Sequence, residues 1–249
     1  MGAGIIAPRG KERVTRRGTL WFGWTLALLA MAGFARLGFW QYARMQEKQV
    51  LLDRVAEVLR DKKNMGLHTD VIFDYAWIDD HAKVVGPTLL LDNQMHEGRA
   101  GVRVYCVVTV GAFAPDRLVD LGWLPIGGDR KIPDVRCPTG EIHVRGLMTP
   151  LPSSGLRVGT SMQQISEDRW LMARLDPDAI GAATKAMFVP RVVRLDPALK
   201  IGWTRDLNVL PNTLPPERHL GYAVQWWALS LAVFVTALVL TFRKKKRPA

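Results

Sequence analysis

A chain of 249 residues allows one compact domain of ordinary size with accessory segments, and leaves no room for two large domains. It carries 34 Lys and Arg against 23 Asp and Glu, a net charge of +11. Spread over a domain, that surplus would suit a nucleic-acid partner, but it sits at the ends. Arg9, Lys11, Arg13, Arg16 and Arg17 against Glu12 leave +4, and Arg243, Lys244, Lys245, Lys246 and Arg247 add +5. Charge that flanks apolar segments is read by membrane topology, so no nucleic-acid partner is expected.

After the basic tail, 1–19, the run 20–40 reads LWFGWTLALLAMAGFARLGFW. This is close to the roughly 20 residues a helix needs to cross the hydrocarbon layer. Ala30-Met31-Ala32 would also serve as a signal-peptidase site, but the apolar run continues past it to Trp40 and merges into a helical pattern. Over 41–66 the residues Leu51, Leu52, Val55, Val58 and Leu59 recur on one helical face, predicting an amphipathic stalk that Asn64 and Gly66 stop.

The segment 67–216 reads as β-rich, with strands expected at Lys83 to Leu91, Gly101 to Val110, Leu118 to Trp123 and Glu141 to Met148 between clusters of turn residues. Asp176-Pro177 predicts the start of a short helix running to Lys185, and Phe188 to Leu195 a further strand. The run Tyr222 to Phe242, within the segment 217–242, is a second span, followed by the basic tail 243–249. With both basic clusters on the outer sides of the two runs, both termini are expected in the cytoplasm and the central domain across a cell inner membrane. The fold class expected is α+β: two transmembrane helices flanking a mainly antiparallel β exported domain with one short helix.

Little in this chain suggests catalysis. No P-loop, G-x-S-x-G or dinucleotide turn occurs, and none of the five histidines has metal-ligand spacing. Asp79, Asp80 and His81 read as a solvated loop. Cys106 and Cys137 could pair in an exported compartment, but Cys106 lies inside a strand-like run, where a free thiol acting as a small hydrophobe is the expected state. His219 stands three residues before the second run, beside Tyr222, Trp226 and Trp227. A neutral imidazole there can ligate haem iron, or simply anchor the helix at the headgroups. Arg36, near the outer end of the first run, either snorkels to the interface or meets a carboxylate such as a haem propionate.

Gly38-Phe39-Trp40-Gln41 with Arg44 and Lys48 resembles the G-x-W-Q-x-x-R-x-x-x-K stretch that ends the first membrane helix of the Surfeit-one family. His219-Leu220-Gly221-Tyr222-Ala223-Val224-Gln225-Trp226-Trp227 is similar to that family's H-L-x-Y-A-x-Q-W stretch. Between them, Leu90-Leu91-Asp92-Asn93 and Asp120-Leu121-Gly122-Trp123-Leu124-Pro125 resemble its strand motifs in order. The resemblance implies an assembly factor for a haem-copper terminal oxidase, acting on haem a delivery or on the maturing catalytic subunit. It makes His219 the haem-ligand candidate and implies membrane lipid and oxidase subunits as partners. A membrane-anchored structural partner that binds no haem stays as the alternative. Two positions depart from the family: Leu121 and Gln94 stand where it usually or often has Arg.

Overall fold

The computed structural model describes residues 16–68, 74–111, 114–152, 159–185, 188–210 and 213–243. Arg9, Lys11, Arg13 and the cluster from Lys244 to Arg247 lie outside the described residues. The chain forms two units, Met1–Val50 with Leu214–Ala249, and Leu51–Thr213.

The first unit holds helix α1, Arg16–Asp61, as far as Val50, together with helix α3, Pro216–Phe242. Their contacts run in opposite senses along the two helices, so the pair is antiparallel. The Trp24 indole donates to Thr241 Oγ1 at 3.1 Å, Ser230 Oγ donates to the Met31 carbonyl at 3.1 Å, and Phe34 stacks on Trp226 with ring centres 5.6 Å apart. Such polar contacts between helices suit a surrounding with no competing water. Trp21, Phe22, Leu29, Leu231, Val239 and Leu240 all point outward and are more than half exposed. In water that much apolar surface would be costly, and in lipid it is solvated. Both helices are long and apolar enough to cross a membrane, and they mark the chain as a two-span membrane protein.

Among the described residues the second unit holds seven strands: β1 Ala76–His96, β2 Arg99–Thr109, β3 Asp116–Pro125, β4 Glu141–Pro150, β5 Met162–Ser166, β6 Arg169–Met172 and β7 Phe188–Leu195. The pairings β1–β2, β2–β3, β3–β7, β7–β4 and β4–β1 return to their starting point, so five strands close into a barrel. Most pairs are antiparallel, while β3–β7 and β1–β6 are parallel. Closure depends on β1. Residues 76–83 pair with β4 and 83–96 with β2, and the register shifts between Val85 and Leu89, around Gly86 (φ +76°) and Pro87. Proline has no N–H for a ladder, and a bulge is where a strand tolerates it and bends. β1 is therefore more than twice the length of the strand expected from Lys83 to Leu91, and the β5–β6 hairpin, which no expected strand covers, runs alongside it.

Alternation along the strands builds two cores. On β2, Val104, Cys106 and Val108 join Ile78, Leu90, Val119, Val144 and Leu195 in the barrel interior, while Tyr105 and Val107 join Leu118, Met172, Ile180 and Val192 on the outside. Helix α2, Pro177–Thr184, supplies Ile180. It starts as its sequence predicts: the Asp176 carboxylate accepts from Ala179 N, Pro177 occupies the first turn, and Lys185 ends it in the left-handed region.

Two expectations are corrected here. Cys106 is not a free thiol: it is bonded to Cys137, with Cα atoms 5.8 Å apart. Cys137 reaches it because its own N–H donates to Thr88 Oγ1 at 2.8 Å, which pins an irregular segment against the barrel. Asp79, Asp80 and His81 are not in a loop but on β1, where His81 pairs with His143 of β4. The two rings stack 4.9 Å apart on the outer face, and His143 Nε2 lies 2.6 Å from Asp79 Oδ1.

Candidate functional site

On α3 the positions His219, Ala223, Trp226, Trp227 and Ser230 recur at offsets of four, seven, eight and eleven, one face of a helix. On α1 the positions Phe34, Gly38, Gln41 and Lys48, at offsets of four, seven and fourteen, likewise share one face. These faces meet within the first unit. Ala223 is fully buried and His219 is 8% exposed. Trp227 lies over Gly38, where a β-carbon would come within 2.3 Å of its Nε1. Phe39 meets the same indole edge-on at 5.5 Å, and Tyr42 at 6.0 Å.

His219 is placed by the start of α3. Pro215 is extended and Pro216 takes the first helical position, where a missing N–H costs nothing. The Leu214 carbonyl just before it accepts from Lys48 Nζ of α1. His219 Nδ1 then lies 2.7 Å from Gln41 Oε1. Its other nitrogen, Nε2, is buried with no hydrogen-bond partner among the described residues, as is Trp227 Nε1. A buried polar atom without a partner costs roughly 1–3 kcal/mol, so it invites an account.

The family-motif residues thus divide into two groups. Gly38, Gln41, Lys48, His219 and Trp226 turn toward the partner helix. Trp40, Arg44, Tyr222 and Gln225 are exposed; Arg44 pairs with Glu47 at 2.8 Å and lies 6.0 Å over the Trp40 ring. Arg36 is also exposed and makes no described contact; two residues from Gly38, it is about 200° round the helix from it. The structure does not bring it to His219. Trp227 was legible as an interfacial aromatic but not as a site residue, although its offset of eight from His219 carries that signal.

Gly122 and Trp123 belong to the second unit and serve its architecture. At the β2–β3 bulge, Val104 pairs with Gly122 and Tyr105 with Asp120, leaving Leu121 unpaired. Gly122 has φ +117°, and a β-carbon there would meet the Trp203 and Thr204 carbonyls at 2.8 Å. The Trp123 indole donates to the Gln94 carbonyl at 2.8 Å. Leu121, one of the two departures from the family, is a barrel-core residue, 1% exposed.

Outside the barrel, next to Tyr105, lies a cluster of buried charge. Asp120 accepts from Arg103 Nη1 at 2.6 Å and from the Gly122 N–H at 2.9 Å, and Arg194 Nε lies 3.9 Å away. Burial works against the Arg103 charge, but Asp120 together with Tyr105 and Asp206 outweighs it and raises the guanidinium above its ordinary value. Burial pushes the Tyr105 phenol upward, and Asp120 adds to the rise. Among the described residues no group of three or more His, Cys, Asp or Glu is arranged to hold a metal ion.

Fold and site together define a class: a two-span membrane protein carrying a closed-barrel β domain, with Gly38, Gln41, Lys48, His219 and Trp226 of its motifs gathered where the two helices pair. The SURF1 family model matches residues 28–231, and the chain belongs to that family, the Surfeit-one family of cytochrome oxidase assembly factors. No curated protein matches the chain.

Proposed function

We propose that this protein assists the assembly of a haem-copper terminal oxidase by holding haem a for, or steadying, the maturing catalytic subunit, and that His219 is the haem ligand. The observation that carries this reading is the state of His219: a buried imidazole whose Nδ1 is engaged by Gln41 while Nε2 has no hydrogen-bond partner among the described residues. A neutral imidazole nitrogen is the donor haem iron takes from a protein, and aromatic rings line the same helix pair. Bound there, haem would bring its own redox and ligand chemistry. The protein's residues would supply binding and orientation, not catalysis.

The membrane in this reading is the cell inner membrane, with both termini cytoplasmic and the barrel on the periplasmic side. A reporter fused after Ala249 should then read cytoplasm. One inserted near Gly155, which lies outside the described residues, should read the far side.

Purification from cells that make haem a tests the site. The wild type should carry haem and copurify with oxidase subunits, His219→Ala should lose most of the haem at normal membrane level, and His143→Ala, on the barrel, should keep it. Wild-type haem content in His219→Ala would remove His219 as the ligand. The second reading, a structural partner that binds no haem, is favoured by one observation: Gln41–His219, Gly38–Trp227 and Lys48–Leu214 all serve equally to hold the helices together. Haem-free wild-type protein that still copurifies with oxidase subunits would select it.

A further inference from the structure

We infer that Gln41 is a positioning residue for His219: its side-chain carbonyl keeps the imidazole proton on Nδ1 and so leaves the lone pair of the buried Nε2 free for a metal centre. The inference rests on the reading of His219 as a haem ligand, but its first consequence concerns the protein without haem. An imidazole nitrogen beside an amide oxygen can only donate to it, because a carbonyl oxygen accepts and cannot give. At 2.7 Å, Nδ1 therefore carries the proton, and a neutral ring holds its lone pair on Nε2. Nε2 has no hydrogen-bond partner among the described residues, so none of them opposes this choice from its own side of the ring.

Gln41 is itself held in place. Gly38, one turn earlier on α1, lies directly under Trp227, and two turns beyond Gln41 Lys48 is tied to the Leu214 carbonyl just before α3. The amide thus meets the imidazole from a fixed helix face. A histidine ligand is oriented, and its basicity set, by the acceptor on its other nitrogen, and a change of acceptor alters metal affinity by roughly 10–100-fold. An amide oxygen is a weaker acceptor than a carboxylate. The site therefore gives a neutral, moderately basic ligand, which suits a centre that must be released as well as held.

The test uses the full-length protein in lipid nanodiscs with ¹⁵N-labelled histidine, His219 being assigned by its loss in His219→Gln. In the haem-free wild type, Nδ1 should appear protonated and Nε2 unprotonated. Gln41→Leu should give a mixture of tautomers, and Gln41→Glu should restore the proton on Nδ1. Titrated with ferric haem, Gln41→Leu should bind 10-fold or more weakly than wild type, and Gln41→Glu should shift the reduction potential downward with binding retained. A wild-type proton on Nε2, or a tautomer and haem potential indifferent to both substitutions, would overturn the inference. The two readings fail separately. Haem-free wild type with the expected tautomers removes only the haem role, whereas His219-dependent haem binding unaffected by Gln41→Leu removes only the role of Gln41.

Discussion

The backbone of Gly38 and the indole of Trp227 occupy adjoining space on facing helices, so closely that any side chain at 38 would overlap the ring. A β-carbon would sit 2.3 Å from Nε1 and 2.5 Å from Cδ1. Small residues let membrane helices approach closely, and here the approach is spent on seating one large aromatic.

Gly38→Ala should therefore force the indole out of place, at a cost of roughly 1–3 kcal/mol as expected for overpacking. Unfolding in detergent should show the loss. Trp227→Ala in the same chain should recover much of it, giving a coupling term in a double-mutant cycle. Additive losses would mean that the two residues do not share this contact.

Asp120 is the carboxylate on which two buried guanidiniums depend, with Arg103 and Arg194 side chains 11% and 10% exposed. Asp120→Ala would leave these charges without their shared partner and release the Gly122 N–H at the bulge. A loss of about 3–5 kcal/mol is expected for breaking such a buried pair. Thermal unfolding in detergent followed by circular dichroism should show it. A loss below 1 kcal/mol would mean that Asp206, which also pairs with Arg194 at 3.1 Å, carries the cluster alone.

The bond between Cys106 and Cys137, 31 residues apart, closes a loop that contains β3. Its removal in Cys106→Ala with Cys137→Ala should destabilise the protein by roughly 2–4 kcal/mol. In protein isolated from its own membrane, neither cysteine should react with a maleimide until a reductant is added. Free thiols in that protein would contradict both the bond and an oxidising compartment for this unit.

Tyr105 is buried beside the Asp120 carboxylate that Arg103 and Arg194 share. Because its phenol titrates higher in the folded protein than the ordinary 10.0, the stability it lends is complete below pH 10. It is lost as the pH rises beyond that, where the unfolded chain ionises first. Tyr105→Phe should leave stability near pH 7 almost unchanged and move alkaline unfolding to higher pH. An unchanged alkaline midpoint would show that another group governs it.

What the sequence determined by itself was what local chemistry dictates. Two apolar runs of membrane length can only be helices, since every backbone polar group in lipid must be satisfied within the segment. Asp176-Pro177 starts α2 because the cap and the proline act within one turn, and Phe188–Leu195 is a strand rich in β-branched valine. The two motifs at the membrane boundaries place the chain in its family because they are contiguous. Tertiary structure alone decided the rest, and each case involves partners far apart in the chain. The barrel closes because β1 bends at Pro87 and spends its two halves on different neighbours, a choice no window of residues contains. Cys106 is bonded and not free because an irregular segment is pinned at Thr88, 49 residues from the cysteine it carries. His219 became more than an interfacial histidine only when Gln41, 178 residues earlier, was found against its Nδ1, since side-chain spacing fixes which face a residue occupies but not what lies across from it.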